Sequence, residues 1–419
     1  MIKLIEKIEG EAKLHFSFKD EKIDFVDIEF LQTRSIEKIL EGKNAFDALV
    51  INPRVCGICG HAHLIATVQA LESCYDNIEI SNKAKIIREL TLNFELIQNH
   101  FKWFYFTVLP LFGYKQAVLK AAYPSQIMGK AIATIAGQYP HNSYAVVGGV
   151  VSDITNTDII KLQQYIQETL NSFEKNVIDL ETDEIEQYVK LEQLFTHKGD
   201  LNQILEDILE TKWETLGKSF DRFIAFGENS FFQKGKSIKT RRFTAITEEN
   251  IKEFSNVTSL AKNVVYGDKY YEVGPLSRAI INKNPLIKHI HDKYGDSIVS
   301  RIVARVVEIP LLLKHSQQLL KKINLNEPSY IEPKIDISKI TASGSSSVEA
   351  ARGSLTHKVN LKNGIITEYN IITPTQWNLS NGTKQSPGIS QKAMFDLPNE
   401  NIAEIVFKSF DVCSVCTTH

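Results

Sequence analysis

The sequence predicts a mainly α-helical fold with small β-ribbons near both termini, and three observations carry that prediction. Apolar residues recur at helical spacing through most of the chain between residues 61 and 323. Strict alternation is confined to residues 12–30 and to the stretch VNLKNGIITEYNII near the C-terminus. Two Cys-x-x-Cys pairs, Cys56/Cys59 and Cys413/Cys416, fall where ribbon and helix patterns meet, and 354 positions separate Cys59 from Cys413.

In chain order, Leu14, Phe16 and Phe18 alternate on one arm and Ile23, Phe25, Ile28 and Phe30 on the other, around a turn-like Lys19–Lys22; this predicts a hairpin. Residues 35–50 read as a helix ending just before Pro53. Further helices are predicted at 61–77, 82–112, 115–136, 155–178, 183–211 and 285–323. The run His100 to Phe106 is apolar all round, so the second of these is expected to be buried on most faces. Residues 226–247 are polar and rich in Gly and Lys, which predicts a surface excursion. Beyond residue 340, TASGSSSVEAARGSLTH reads as loop, VNLKNGIITEYNII as a hairpin turning at Asn363–Gly364, and 398–410 as the helix that delivers the second cysteine pair. The organisation expected is one multi-lobed unit over 1–419, in which segments 1–60 and 340–419 meet at a metal site around a helical middle, 61–339.

Composition excludes several classes. Hydrophobic content of 43% with 23% charged residues is ordinary for a soluble globular protein, and a net charge of −2 makes no electrostatic case for nucleic acid or an anionic membrane surface. Charges interrupt every apolar run of MIKLIEKIEGEAKL, which is unlike a signal peptide, and no stretch of about 18 apolar residues predicts a membrane span. A cytoplasmic location is expected, with membrane association or export dependent on a partner. Of five cysteines, four are in the two pairs, which is unlike a disulfide scaffold. Cys74, in an apolar helical run, reads as a small core residue.

Four thiolates select a soft or borderline metal, so zinc, iron–sulfur, iron and nickel are the candidates, and magnesium and calcium are excluded for these ligands. Zinc is the plain reading of a bare Cys₄ set, yet a zinc ribbon draws its pairs from within roughly 15–20 residues. Thioredoxin-like chemistry needs a βαβ context that neither pair has.

The flanks narrow the choice. Arg54-Val55-Cys56-Gly57-Ile58-Cys59-Gly60-His61-Ala62-His63 and Asp411-Val412-Cys413-Ser414-Val415-Cys416-Thr417-Thr418-His419 resemble the paired R-x-C-G-x-C-x-x-x-H and D-P-C-x-x-C-x-x-H signatures of the NiFe hydrogenase large subunit. The resemblance covers essentially the whole chain. Lys7-Ile8-Glu9-Gly10, Thr33-Arg34-Ser35-Ile36-Glu37, Pro140-His141 with Gly148-Gly149-Val150, Glu272-Val273-Gly274-Pro275-Leu276-Ser277-Arg278, Ala351-Arg352-Gly353-Ser354-Leu355-Thr356-His357 and Pro374-Thr375-Gln376-Trp377-Asn378 match further family segments in order.

That resemblance implies the NiFe hydrogenase large-subunit fold and a catalytic subunit that cleaves and forms H2 heterolytically. It implies nickel on all four thiolates, with Cys56 and Cys413 terminal and Cys59 and Cys416 bridging to Fe(CN)₂(CO). Cys413 would accept the proton, Arg352 would cap the site and contact one cyanide, and Asp411 belongs to the same catalytic group by position. Glu9 would relay protons outward, and Glu37 and His419 would hold a Mg²⁺ near the C-terminus. Around the metals, His63 would hydrogen-bond a cluster thiolate, Thr375 the second cyanide, and Leu355 would line the carbonyl pocket. Partners implied are an iron–sulfur small subunit, H2 itself and maturation proteins. A low-turnover H2-sensing subunit is the alternative. Three departures touch the metals' surroundings without touching a ligand: Val412 and Ala351 replace prolines, and Asn99 stands where many relatives carry aspartate.

Overall fold

The computed structural model describes residues 1–5, 11–30, 34–185, 187–196, 198–255 and 259–413. Helix Asn82–Trp103 is its axis. It packs along Val118–Ala136 on one side and Ile298–Lys321 on the other, and Asn156–Phe173 lies against both of those neighbours. Ile86, Ile87, Leu90, Phe94, Leu96, Ile97 and Phe101 point around this axis rather than along one stripe, so the helix is enclosed, as its aromatic run predicts. A π-helical turn, Phe104–Val108, prolongs it to Leu111.

Other predicted helices are interrupted, and the interruptions have local causes. The stretch 35–50 divides into Ile36–Leu40, a 3₁₀ turn Ala45–Asp47 and Ala48–Ile51, because Gly42 adopts φ +78°. Residues 183–211 divide into Thr182–Ile185, a 3₁₀ turn Leu191–Thr196 and Asp200–Glu210. The stretch 285–323 breaks at Gly295, φ +73°, into Pro285–Tyr294 and Ile298–Lys321.

The strands depart further from expectation. The hairpin Ala12–Lys19/Lys22–Phe30 is present, with a register shift at Ser17/Phe18 that leaves Phe18 exposed, and Ile2–Ile5 adds a third strand that alternation did not predict. The segment 226–247 is not an irregular excursion. Arg222–Ala225, Gly235–Ile238 and Arg241–Phe243 form an antiparallel sheet, Phe226 and Phe232 are buried, and Lys236 lies over the rings of Phe243 and Tyr266. TASGSSSVEAARGSLTH is likewise strand: Ala342–Ala350 pairs with Gly353–Lys362, which pairs with Ile365–Ile372 around the expected Asn363–Gly364 turn. Its serines disguise it. They are there because helix Gly60–Glu72 packs straight onto the strand, with Ser345 N–H donating to Ser73 Oγ and Ser346 Oγ to Gln69 Oε1. Two further ribbons, Ala145–Val146/Gly149–Val150 and Ile251–Phe254/Asn263–Tyr266, lie mid-chain, so the ribbons are not confined to the termini.

The two ends of the chain are tied together. Ile23 and the 396–397 segment exchange backbone hydrogen bonds of 2.8–2.9 Å, and Gln391 donates to Val26 O at 2.8 Å. Cys56 of the first pair lies beside Cys413, four residues past the end of the last helix.

A Cβ at Gly344 would lie 2.2 Å from Ala70 O and 2.5 Å from Cys74 Sγ. Gly344→Ala is therefore expected to lose about 1–3 kcal/mol of stability through overpacking, read as a lower denaturation midpoint. An unchanged midpoint would contradict the strand–helix contact described.

Candidate metal centre

The first cysteine loop is shaped by a close backbone approach. Helix 60–72 starts at Gly60, where a Cβ would lie 2.2 Å from Pro53 O, so only glycine lets the chain double back this tightly. Cys59 is the residue immediately before the helix. Three side chains then hold the loop. Arg34 donates to Val55 O at 3.2 Å, Asn99 Nδ2 to Ile58 O at 2.8 Å, and the Glu95 carboxylate accepts from the amides of His61 and Ala62 at 3.0 and 2.9 Å. Burial pushes the Glu95 carboxyl up to about 8 against the pull of those two amides.

The second pair arrives on helix Glu400–Ser409, whose C-terminal Lys408 O accepts from Trp103 Nε1 at 3.1 Å. Asp411 then turns through a left-handed φ of +55°, and its carboxylate accepts from Arg305 Nη1 at 2.7 Å and pairs with Arg352 Nη2 at 3.2 Å. Arg352 Nε also donates to Asp411 O at 3.0 Å. Arg352 occupies the two-residue tip between strands 342–350 and 353–362, and Gly353 at φ +128° lets that tip press on Gly274 N, 2.6 Å from where a Cβ would be.

Cys56, Cys59 and Cys413 come together as one buried cluster with Ile58 against it, and Cys56 Sγ lies 3.7 Å from Cys413 Sγ. That is far beyond the roughly 2.05 Å of a disulfide. Bonds of about 2.3 Å from both sulfurs to one ion would meet at roughly 107°, an ordinary angle for a thiolate-bound metal. Cys416, His419 and Glu9 lie outside the described residues.

Around this cluster runs a chain of buried charges. Arg305 Nη1 donates to His100 Nδ1 at 3.3 Å, His100 Nε2 meets Glu308 at 2.8 Å, Arg278 clasps Glu308 with bonds of 2.9 and 2.6 Å, and Arg278 Nη1 reaches Glu349 at 3.1 Å and Ala350 O at 2.7 Å. The chain ends at the hairpin that carries Arg352. Burial lowers His100 to about 4, so it is the neutral Nε2–H tautomer that links Arg305 to Glu308. Burial depresses Arg305 to about 10, with Asp411 opposing. Burial alone would lower Arg352 too, but Asp411, Cys413, Cys59 and Cys56 hold it well above the usual arginine value.

The remaining candidates divide. Among the described residues, Arg352 Nη1 and Thr375 Oγ1 are buried donors without a partner, an arrangement that is costly unless an acceptor sits there. Their presence fits a metal that carries acceptor ligands of its own. Leu355 is buried on strand 353–362 opposite Val348. His63 Nδ1 is 3.0 Å from His357 Nε2. Glu37 is held by a different set of groups: Lys262 Nζ at 2.9 Å, Asn370 Nδ2 at 3.2 Å and the Ile371 amide at 2.8 Å. A divalent cation there would share Glu37 with the Lys262 ammonium. A cavity of about 580 Å³, lined among others by Ile58, Asn99, Trp103, Arg352 and Val412, reaches the Arg352–Asp411 cap.

Sequence reasoning assigned no role to Glu95, His100, Arg278, Arg305 and Glu308. One signal was available: Arg301, Arg305 and Glu308 stand on one face of an otherwise apolar helical run, IVSRIVARVVEIPLLL, where unpaired charge would not be tolerated.

Asp411→Asn leaves two buried guanidinium groups without their shared counter-charge. It is expected to cost about 3–5 kcal/mol, measured by chemical denaturation, and to lower metal content in the purified protein. His100, with a folded pKa of about 4 against an ordinary 6.5, binds its proton more readily when unfolded. Stability is therefore expected to fall as pH drops from 6.5 toward 4, by up to about 3 kcal/mol, and His100→Gln should flatten that slope.

Residues 34–109 and 225–419 match the family model described as nickel-dependent hydrogenase. The chain is 24% identical to the sulfhydrogenase 1 subunit alpha of Pyrococcus furiosus, over 99% of this chain and 96% of that one. It is also 24% identical to the periplasmic NiFeSe hydrogenase large subunit of Desulfomicrobium baculatum, over 99% and 93%. Among solved structures, the Ni-Fe-Se hydrogenase of Desulfovibrio vulgaris Hildenborough superposes with a TM-score of 0.84 at 21% identity, covering all of both chains, which shows a shared fold.

Proposed function

Because the chain belongs to the nickel-dependent hydrogenase family, we propose that it is the catalytic subunit that splits and forms H2 heterolytically at a nickel–iron centre and passes the electrons to an iron–sulfur small subunit. The observation that carries this reading is the approach of Cys56 and Cys413 to 3.7 Å beneath the Arg352–Asp411 cap. Cys56, Cys59, Cys413 and Cys416 would hold the group. When bound, it supplies the acceptor for the electron pair of H2.

The chain's own residues handle the proton and the surroundings. Cys413 Sγ would take the proton, because the guanidinium of Arg352 beside it stays protonated. Arg352 supplies positive charge beside that sulfur, and its Nη1, which has no acceptor among the described residues, would donate to one cyanide of the bound group. Thr375 Oγ1 would serve the second cyanide, and Leu355 would pack against the carbonyl. Glu9 would pass the proton outward, and Glu37 and His419 are the residues that would hold a Mg²⁺, with Glu37 shared with the Lys262 ammonium. The cavity at Ile58, Asn99 and Val412 gives a small uncharged substrate access to the cap.

Electrons require a second chain. Four of the five cysteines are committed to the metals, and Cys74 is a core residue whose thiol burial pushes up to about 11. None is left to ligate a cluster. No helix among the described residues is long and apolar enough to cross a membrane; a cytoplasmic location is our reading. Nothing in the fold favours the low-turnover sensing alternative.

Cys413→Ser is expected to abolish H2 oxidation while the protein stays folded, and wild-type protein should show infrared bands of iron-bound CO and CN. A Cys413→Ser protein with wild-type turnover would overturn the proton assignment. Elemental analysis giving zinc alone would overturn the centre itself.

A further inference from the structure

His63 lies four residues beyond Cys59, and its amide donates to Cys59 O at 3.4 Å across the start of helix 60–72. Behind it is a buried polar chain drawn from three elements. His63 Nδ1 is 3.0 Å from His357 Nε2 on strand 353–362, and His357 Nδ1 is 2.8 Å from Tyr369 Oη on strand 365–372. Thr67 Oγ1 lies 3.3 Å from the same His357 Nδ1, donates to His63 O at 2.7 Å and accepts from Asn52 Nδ2 at 2.8 Å. His63, Thr67, His357 and Tyr369 are all at most 3% exposed.

Proton counting leaves two arrangements. In one, Tyr369 O–H donates to His357 Nδ1, His357 Nε2–H donates to His63 Nδ1, and His63 carries its proton on Nε2. In the other every bond reverses: His357 Nδ1–H donates to Tyr369, Tyr369 O–H must turn to Thr67 Oγ1, and His63 carries its proton on Nδ1. The two differ in where the Tyr369 proton goes, and the nearer acceptor, His357 Nδ1, favours the first. The Tyr369–His357 contact is 2.8 Å, whereas Tyr369–Thr67 is 3.4 Å, at the edge of hydrogen-bonding range. The proton of Thr67 is already placed on His63 O. Burial raises the Tyr369 phenol above its usual range, which keeps it a donor.

We propose that Tyr369 is a positioning residue that, through His357, fixes His63 as an Nε2–H donor toward the cysteine cluster. A thiolate that accepts such a bond gives less electron density to its metal, so a tyrosine remote from the metals tunes them. The proposal rests on the nickel–iron reading only for the identity of the group being tuned.

The test is nitrogen-15 NMR of the full chain labelled at histidine, with His63→Gln and His357→Gln to assign the two rings, alongside infrared spectra of the metallated protein. Wild type is expected to show Nε2–H tautomers for both His63 and His357. Tyr369→Phe should move both toward Nδ1–H and shift the CO and CN bands to lower wavenumber, as the sulfur loses its donor. An Nδ1–H tautomer for His63 in wild type overturns the proposal without any variant. So do unchanged tautomers and bands in a metal-loaded Tyr369→Phe protein. If that variant does not retain metal, its tautomers alone decide. Wild-type protein lacking CO and CN bands would sink the nickel–iron reading, while the tautomers would still decide the relay.

Discussion

The centre depends on one carboxylate. Asp411, two residues before Cys413, is shared by Arg305 and Arg352, and all three are buried. Two guanidinium groups around one carboxylate leave an excess of positive charge in a site of low dielectric, which is unfavourable unless further negative charge lies near. The cysteines supply it. Arg352 feels Cys413, Cys59 and Cys56 as well as Asp411. The cap and the thiolates therefore stabilise each other, and neither is well placed without its counterpart. The left-handed turn at Asp411 belongs to the same bargain: an aspartate at φ +55° is strained by order of 1 kcal/mol, and the two arginines hold it there.

From Asp411 the constraint spreads through the fold. Arg305 and Glu308 lie on helix 298–321, His100 on helix 82–103, Arg278 just beyond the Gly274 turn, and Glu349 on the strand leading to Arg352. Each interior member of the series is hydrogen-bonded on both sides, so removing one exposes two neighbours. The first cysteine loop is held by different means, namely a glycine-tight helix start at Gly60 and a buried carboxylate across two amides. Backbone hydrogen bonds between Ile23 and residues 396–397 separately tie the two ends of the chain together.

Much of this was legible in the residues. The cysteine pairs with their flanks pointed to segments that the structure brings together, with Cys56, Cys59 and Cys413 in one buried cluster and the Arg352–Asp411 pair beside it. The central helices were visible because their apolar residues keep a 3.6 period. Strand 342–350 was not, since its serines and glycine answer to a helix packed on them rather than to β propensity. The sheet around 222–243 was hidden by lysines and arginines whose stems and charges cover aromatic rings. The helix breaks at Gly42 and Gly295 turn on single left-handed residues within otherwise periodic stretches. The ionic series was the least visible, because its pairings join residues up to 208 positions apart, as His100 and Glu308 are.

The central claim is that thiolates from both ends of the chain converge on one nickel–iron group. Nickel-edge X-ray absorption on the purified protein tests it most directly. The account predicts nickel ligated by sulfur with an iron atom as near neighbour. Absence of nickel, with zinc bound by four sulfurs in its place, would contradict it.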